Sequence, residues 1–376
     1  RCLLVDNSSL SERQLAFLLF MTLMGNALIL APISGSGRDA WIANLLASLV
    51  GLYLLFAIIS IQKAFPGQSI IKISEICLGK VAGKILSFIF ITMIFYSIII
   101  YLFDACILIR TIFPFLTCYL LRPLVVISIA YCIYKGSNSI GRLADLFAPV
   151  TLLFIIGSLL IITTAADFSR LQPIAADWRM LVGGTLDGAG WPYSVITVLA
   201  LFLPFKSDPG GKHRLLYIWF FVGVIIFTVR SMLVMAILGP EYVLLVRFPL
   251  YASLRFVAYA DFQRVELFFF VLWFISGFMV LLINYMAGVL AVKEYFNLTH
   301  FKSIILPTGF FLTVISLYMY NSDMEFYTLE GITTPLLKLS INLLYPTILL
   351  LAIKIRGRSL QSSQVGPDST PASSKA

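Results

Sequence analysis

Apolar runs of membrane-crossing length, separated by short polar connections, recur along the whole chain. Seven contain no charged side chain: Gln14 to Gly37, Ala40 to Gln62, Ile85 to Phe103, Leu146 to Ala166, Gly188 to Phe205, Leu267 to Val292 and Ser303 to Ser322. A hydrocarbon core about 30 Å thick takes roughly 20 such residues as a helix, so each run predicts one transmembrane span. Three more stretches carry a single cation: Thr111 to Tyr134, interrupted by Arg122, supplies the end of the third span and all of the fourth, Leu215 to Gly239 holds Arg230, and about Pro335 to Ile353 holds Lys338. Backbone groups in lipid must pair within their own segment, so the reading is an all-α polytopic membrane protein of about ten helices. The first run is too long for a leader and lacks a small-residue cleavage site, so no cleaved leader is expected.

Two runs are interrupted in matching places. The first span reads MTLMGNALILAP, with Gly25 and Asn26 in its middle, and the sixth opens DGAGWPY, with Gly188, Gly190 and Pro192 close together. Five spans precede the second interruption and five begin with it. This predicts a five-plus-five inverted repeat within residues 1–356, repeat one over about 14–166 and repeat two over about 187–353. The longest polar connections follow the second and seventh spans, and each holds a Phe-Pro pair and an amphipathic stretch, QSIIKISEICLGK in one and LYASLRFVAYADFQR in the other. Paired Gly/Pro breaks are the sequence pointer to a binding site near the bilayer midplane. A free amino acid suits such a site, its carboxylate at the N-terminal end of a half-helix and its ammonium at a C-terminal end, with glycine letting the backbone come close. Glycine also serves tight helix packing; for the matched pair, the binding site is the favoured reading.

Composition removes the soluble alternatives. The chain is 60% hydrophobic and only 12% charged, with mean hydropathy +0.97, against about 25% charged in soluble domains. The net charge of +9 sits in the connections and reads as membrane orientation, not as a nucleic-acid surface. Of the 27 Lys and Arg, 17 fall on the segments that share a side with the N-terminus and 9 on the others, so both termini are expected in the cytoplasm. Two histidines and five cysteines, with no C-x-x-C and no H-E-x-x-H, offer no metal, cofactor or enzyme site; the cysteines read as small packing hydrophobes. Residues 357–376, rich in Ser, Pro and Gly, should form a disordered cytoplasmic tail.

Ionisable and polar groups at depth are candidates for function. Asp104 and Arg110 close the third span near an interface, where snorkelling or a structural role suffices. Arg230 lies deeper, and a structural pairing with carbonyls or with Glu241 is favoured. Tyr96 and Ile100, four apart, share a helix face that passes beside the breaks in such a repeat, as pocket wall or as ordinary packing. Asn284, in LLINYMAG, needs a partner in hydrocarbon: a neighbouring helix, a ligand or water. The fifth span holds no lysine, a position where proton-coupled amino-acid carriers of this architecture often place one.

Four motifs in order, SGRDAWIANLL, FPGQSIIKISEICLGKVAGKIL, GRLADLFAPV and FVAYADFQRVELFFFVLWF, resemble the spore germination permease family from Leu10 to about Arg356. These are the B-type, multi-span subunits of nutrient-germinant receptors in endospore-forming bacteria, similar to permeases of the amino acid, polyamine and organocation superfamily. The resemblance implies a leucine-transporter-like fold with helices 1 and 6 broken. It implies ligand contacts from Gly25 and Asn26 on one side and Gly188, Gly190 and Trp191 on the other, with Tyr96 and Ile100 facing in. It implies as partners a larger A-type and a lipid-anchored C-type subunit in the spore inner membrane. Asp145 stands in GRLAD where relatives often carry Glu, which keeps the charge. The expected function is a sensor that binds a small nutrient such as an amino acid and signals to its partners; the alternative is a permease working by alternating access.

Overall fold

The computed structural model describes residues 9–25, 34–113, 115–175, 177–208, 211–246, 248–257, 266–320 and 322–356. Asn26 and the expected tail at 357–376 lie outside them. Among the described residues the regular structure is helical: α1 (Glu12–Met24), α2 (Ala40–Ala64), α3 (Ile70–Leu78), α4 (Lys80–Ile112), α5 (Cys118–Tyr134), α6 (Ser137–Thr163), α7 (Trp178–Gly190), α8 (Arg214–Leu245), α9 (Pro249–Val257), α10 (Glu266–Tyr295), α11 (Lys302–Tyr318) and α12 (Asp323–Arg356). Six of these are long and apolar enough to cross a membrane, and α5 and α11 are shorter apolar helices of 17 residues. Large side chains such as Leu49, Phe56, Leu153, Leu160 and Phe310 point outward from the bundle. That much exposed apolar surface is foreign to a water-soluble monomer and is the ordinary boundary of a protein in lipid.

Two spans are broken. α1 starts from a capping box at Ser11 and Gln14 and stops at Gly25, with a 3-10 segment at Ser34–Asp39 leading into α2. α7 stops at Gly190, and the chain resumes as 3-10 helix at Tyr193–Leu201 and Leu203–Phe205. The order of elements then repeats: a broken span, a whole one, a short amphipathic helix, and three more spans, first as α1 to α6 and again as α7 to α12. Exchanging the halves maps the packing onto itself. α1 against α8 corresponds to α7 against α2, α1 against α6 to α7 against α12, and α3 against α4 to α9 against α10, while α4–α10 and α5–α11 map to themselves. The fold is the five-plus-five inverted repeat.

The two amphipathic helices are docked by their apolar faces. Ile70, Ile71, Ile73 and Cys77 of α3 are buried, and Ser74 bonds Ser87 on α4 at 2.6 Å. Leu250 and Leu254 of α9 are buried on one face in the same way. At the N-terminal end of α1, Asp145 on α6 accepts from Arg13 Nε at 3.0 Å and from Gln14 Nε2 at 2.9 Å. Leu10 there pairs with the strand-like turn at Phe205–Ser207, donating to the Phe205 carbonyl at 2.7 Å. The GRLAD motif thus fastens α1 to the bundle.

α4 runs past Phe103 to Ile112, with Asp104 and Arg110 near its end as expected of the third span, and α5 contains Arg122. α12 differs from the sequence reading, beginning at Asp323, well ahead of Pro335. The broken sixth span likewise begins at Trp178, so its glycines stand in its middle and not at its start. Hydropathy ends a span at a charge, but a helix continues through one that is held by neighbours inside the bundle: Arg122 is buried, donates to the Ser316 carbonyl on α11 and lies 4.5 Å over the Phe103 ring. The cysteines also need correction. Cys106 and Cys118 form a disulfide that ties the end of α4 to the start of α5.

Candidate functional site

The two helix breaks are held in the packed interior by α10 and α12. A Cβ on Gly25 would stand 2.9 Å from the side chain of Val280 on α10, so glycine is what allows α1 to end there. The Val280 carbonyl accepts from Asn284 Nδ2 at 2.7 Å, and Asn284 is fully buried with no partner for its Oδ1 among the described residues. Gly25 and Asn284 are thereby brought to one turn of α10. On the other side, a Cβ on Gly190 would run into the backbone of Pro335 on α12, while Gly188 is buried in the last turn of α7.

A chain of buried hydrogen bonds holds the second break. Ser194 Oγ donates to the Gly190 carbonyl at 2.5 Å, Asn342 Nδ2 to Ser194 Oγ at 3.1 Å, and Thr197 Oγ1 to Asn342 Oδ1 at 3.0 Å. Tyr193 donates to Asn44 Oδ1 on α2 at 3.0 Å, and Asn44 donates in turn to Thr228 on α8 at 2.8 Å. Polar groups satisfied this fully rigidify a site and carry a high penalty if any member is lost.

From α4 the side chain that meets the break is Tyr101, which is buried and hydrogen-bonded by the indole of Trp191. Asp104 lies one turn further along α4, 9% exposed, close enough to act on the Tyr101 hydroxyl. Lys338 on α12, 3% exposed, places its Nζ 5.4 Å from the centre of the Tyr101 ring. Tyr96 bonds Thr334 on α12 at 2.8 Å, and Ile100 packs with Phe103, Ile107, Tyr320 and Phe326 in a separate apolar cluster between α4 and the α11–α12 corner. Arg230 is buried over the Phe227 ring near Tyr193, whereas Glu241 is exposed beyond the kink at Gly239.

Sequence reading therefore missed Tyr101, Lys338 and the network of Asn44, Tyr193, Ser194, Thr197 and Asn342. Lys338 carried a usable signal, a lone cation in an otherwise apolar run, which is rare at depth unless it faces the bundle interior. The electrostatic frame is set by backbone: α1 and α7 both present C-terminal ends, carrying partial negative charge, and buried Lys338 lies one turn from the Pro335 backbone that Gly190 meets.

The sequence profile of the spore germination protein family matches residues 9–324. The chain belongs to this family. Spore germination protein KB of Bacillus subtilis (strain 168) is 24% identical over 353 residues, covering 92% of this chain and 94% of that protein. Spore germination protein YndE of the same organism is 21% identical over 265 residues, 69% of this chain and 72% of its own length. In fold, this spore germination permease is similar to MhsT in complex with L-phenylalanine, with TM-score 0.64 at 13% identity over 94% of this chain and 99% of that one. It is also similar to Mhp1, a nucleobase-cation-symport-1 family transporter, with TM-score 0.59 at 12% identity over 97% of this chain and 95% of that one. The protein is an integral membrane protein with a leucine-transporter-like fold, and its relatives in family and fold are permeases and transporters, not enzymes.

Proposed function

We propose that this chain is the B-type membrane subunit of a nutrient-germinant receptor in the spore inner membrane, both termini cytoplasmic. It binds a small nutrient, an amino acid, where α1 and α7 break, and passes a change in helix arrangement to A-type and lipid-anchored C-type partners. The observation that carries the reading is a pair of helix breaks in the packed interior, α1 ending at Gly25 against Val280, one turn from buried Asn284, and α7 ending at Gly190 against Pro335, one turn from buried Lys338. Family membership and the near full-length match to Spore germination protein KB support the germination role; the L-phenylalanine held by MhsT supports an amino acid as the class of ligand. The Cys106–Cys118 disulfide supports the orientation, since it stands on the side that the charge count places outside the cytoplasm, where disulfides persist.

A sensor shifts its resting state only by the ligand's differential affinity for two arrangements. The fastening of α1 by Arg13, Gln14 and Asp145 is the element such a shift would release. The same latch favours the second reading, transport by alternating access, in which α1 swings to open a path. Dipicolinic acid release from spores with and without the gene, across amino acids, sugars and nucleosides, separates them. Loss of response to a particular nutrient is expected; intact germination with slowed solute uptake in growing cells favours the permease.

A further inference from the structure

A cleft of about 580 Å³ opens at the N-terminal end of α8. One side is cationic, with Lys63 from the end of α2 and Lys212, His213 and Arg214 at the start of α8. The other is apolar, formed by Tyr217, Ile218 and Phe221 along α8. Ile218 and Phe221 are 42% and 48% exposed, and exposed Ile225 continues the face one turn on. That stripe faces acyl chains in a membrane-spanning protein. The cations sit at its end, where headgroups lie.

His213 marks the junction. It is 5% exposed, and neither ring nitrogen makes a hydrogen bond of good geometry among the described residues. Burial, with Lys206 and Lys63 nearby, holds the imidazole below its ordinary range, against the opposing pull of Glu12 and the Gly211 carbonyl. The residue before the first turn of α8 makes no side-chain cap, although the Leu215 amide is taken by Glu12 Oε1 at 2.8 Å. Glu12 is thus engaged by backbone, and Asp208 stands on the loop beside Lys206. The corner keeps a cationic surplus from Lys63, Lys206, Lys212 and Arg214, reinforced by the positive end of a long helix.

We propose that this corner binds an anionic phospholipid. Its phosphodiester lies among Lys63, Lys212, Arg214 and the imidazole of His213, and one acyl chain runs along Tyr217, Ile218, Phe221 and Ile225. Basic pockets between membrane helices recognise such headgroups. A soluble phosphate would satisfy the cations and leave the apolar half of the cleft uncovered, so the occupant is a lipid. Because Glu12 reaches α8 at this point, the site also abuts the fastened end of α1.

Native mass spectrometry of the purified full chain tests this, in micelles holding equal phosphatidylglycerol and phosphatidylcholine of matched acyl chains. Wild type is expected to retain phosphatidylglycerol preferentially. Lys63→Gln, Lys212→Gln and Arg214→Gln are each expected to weaken that preference roughly fivefold, the effect of about one elementary charge at a membrane surface, and the triple variant to abolish it. All three side chains are exposed, so the fold is retained. Millimolar inorganic phosphate is expected not to displace the lipid. Equal retention of the two lipids by wild type, an unchanged preference in the triple variant, or displacement by phosphate would overturn the assignment, the last in favour of a soluble anion.

Discussion

Gly190→Ala is expected to abolish the nutrient response. The added Cβ meets the carbonyl and Cα of Pro335, which are backbone atoms of α12 that no side-chain rotation clears. Either α12 moves away from the break or α7 unwinds, and each outcome displaces Lys338 and the Ser194–Asn342 network from the end of α7. Overpacking of this kind costs about 1–3 kcal/mol, small enough for the protein to insert and accumulate, so the loss falls on response. Gly183→Ala is the control on the same helix, since nothing stands within 4 Å of the added methyl; it should leave the dose response unchanged. Dipicolinic acid release against nutrient concentration, normalised to membrane protein level, makes the comparison. Wild-type response in Gly190→Ala at normal level would remove the second break from the site.

Lys338→Met carries the second large effect. A lysine near the centre of a membrane helix costs about 2.5–3.5 kcal/mol at insertion, so methionine of similar length should raise the amount of protein in the membrane or leave it unchanged. If the side chain receives the nutrient's carboxylate, losing that charge-assisted bond costs about 1.5–3 kcal/mol. The half-maximal nutrient concentration should then rise roughly tenfold to a hundredfold. Lys338→Arg keeps the charge and should recover part of the response. A purely structural lysine predicts the opposite pattern: less folded protein, with the remaining molecules responding at the wild-type concentration.

The fold was largely legible because the bilayer enforces it. Runs such as Ala40 to Gln62 and Leu267 to Val292 have no state available in lipid other than a helix, and α2 and α10 cover them. The two amphipathic stretches after the second and seventh spans became α3 and α9, since a helix polar on one face can lie only at an interface or dock by its other face. Helix starts were less legible: α12 begins at Asp323 and the broken sixth span at Trp178, each ahead of the apolar run that marks it, because hydropathy counts the polar residues of a helix's first turns as water-facing. The site was half legible. Gly25 and Gly190 announce a break locally, but the partners that make each one necessary, Val280 and Pro335, stand far along the chain and are set by tertiary packing. Tyr101 is one residue from Ile100, and only helix rotation decides which of the two reaches Trp191; apolar periodicity is too weak in α4, hydrophobic on every side, to give that rotation. The Cys106–Cys118 pairing depends on how the end of α4 meets the start of α5, which hydropathy does not give.

The central claim is that the junction of the two breaks holds an amino acid, and equilibrium binding tests it most directly. Radiolabelled amino acids would be offered as a panel to the purified full chain and to Gly25→Leu, whose side chain would have to displace Val280. Saturable binding of at least one amino acid by wild type, lost in Gly25→Leu while the variant's thermal unfolding in detergent stays near wild type, is the predicted result. Binding that survives Gly25→Leu unchanged, or a wild-type chain that is folded and binds no member of the panel, would contradict it.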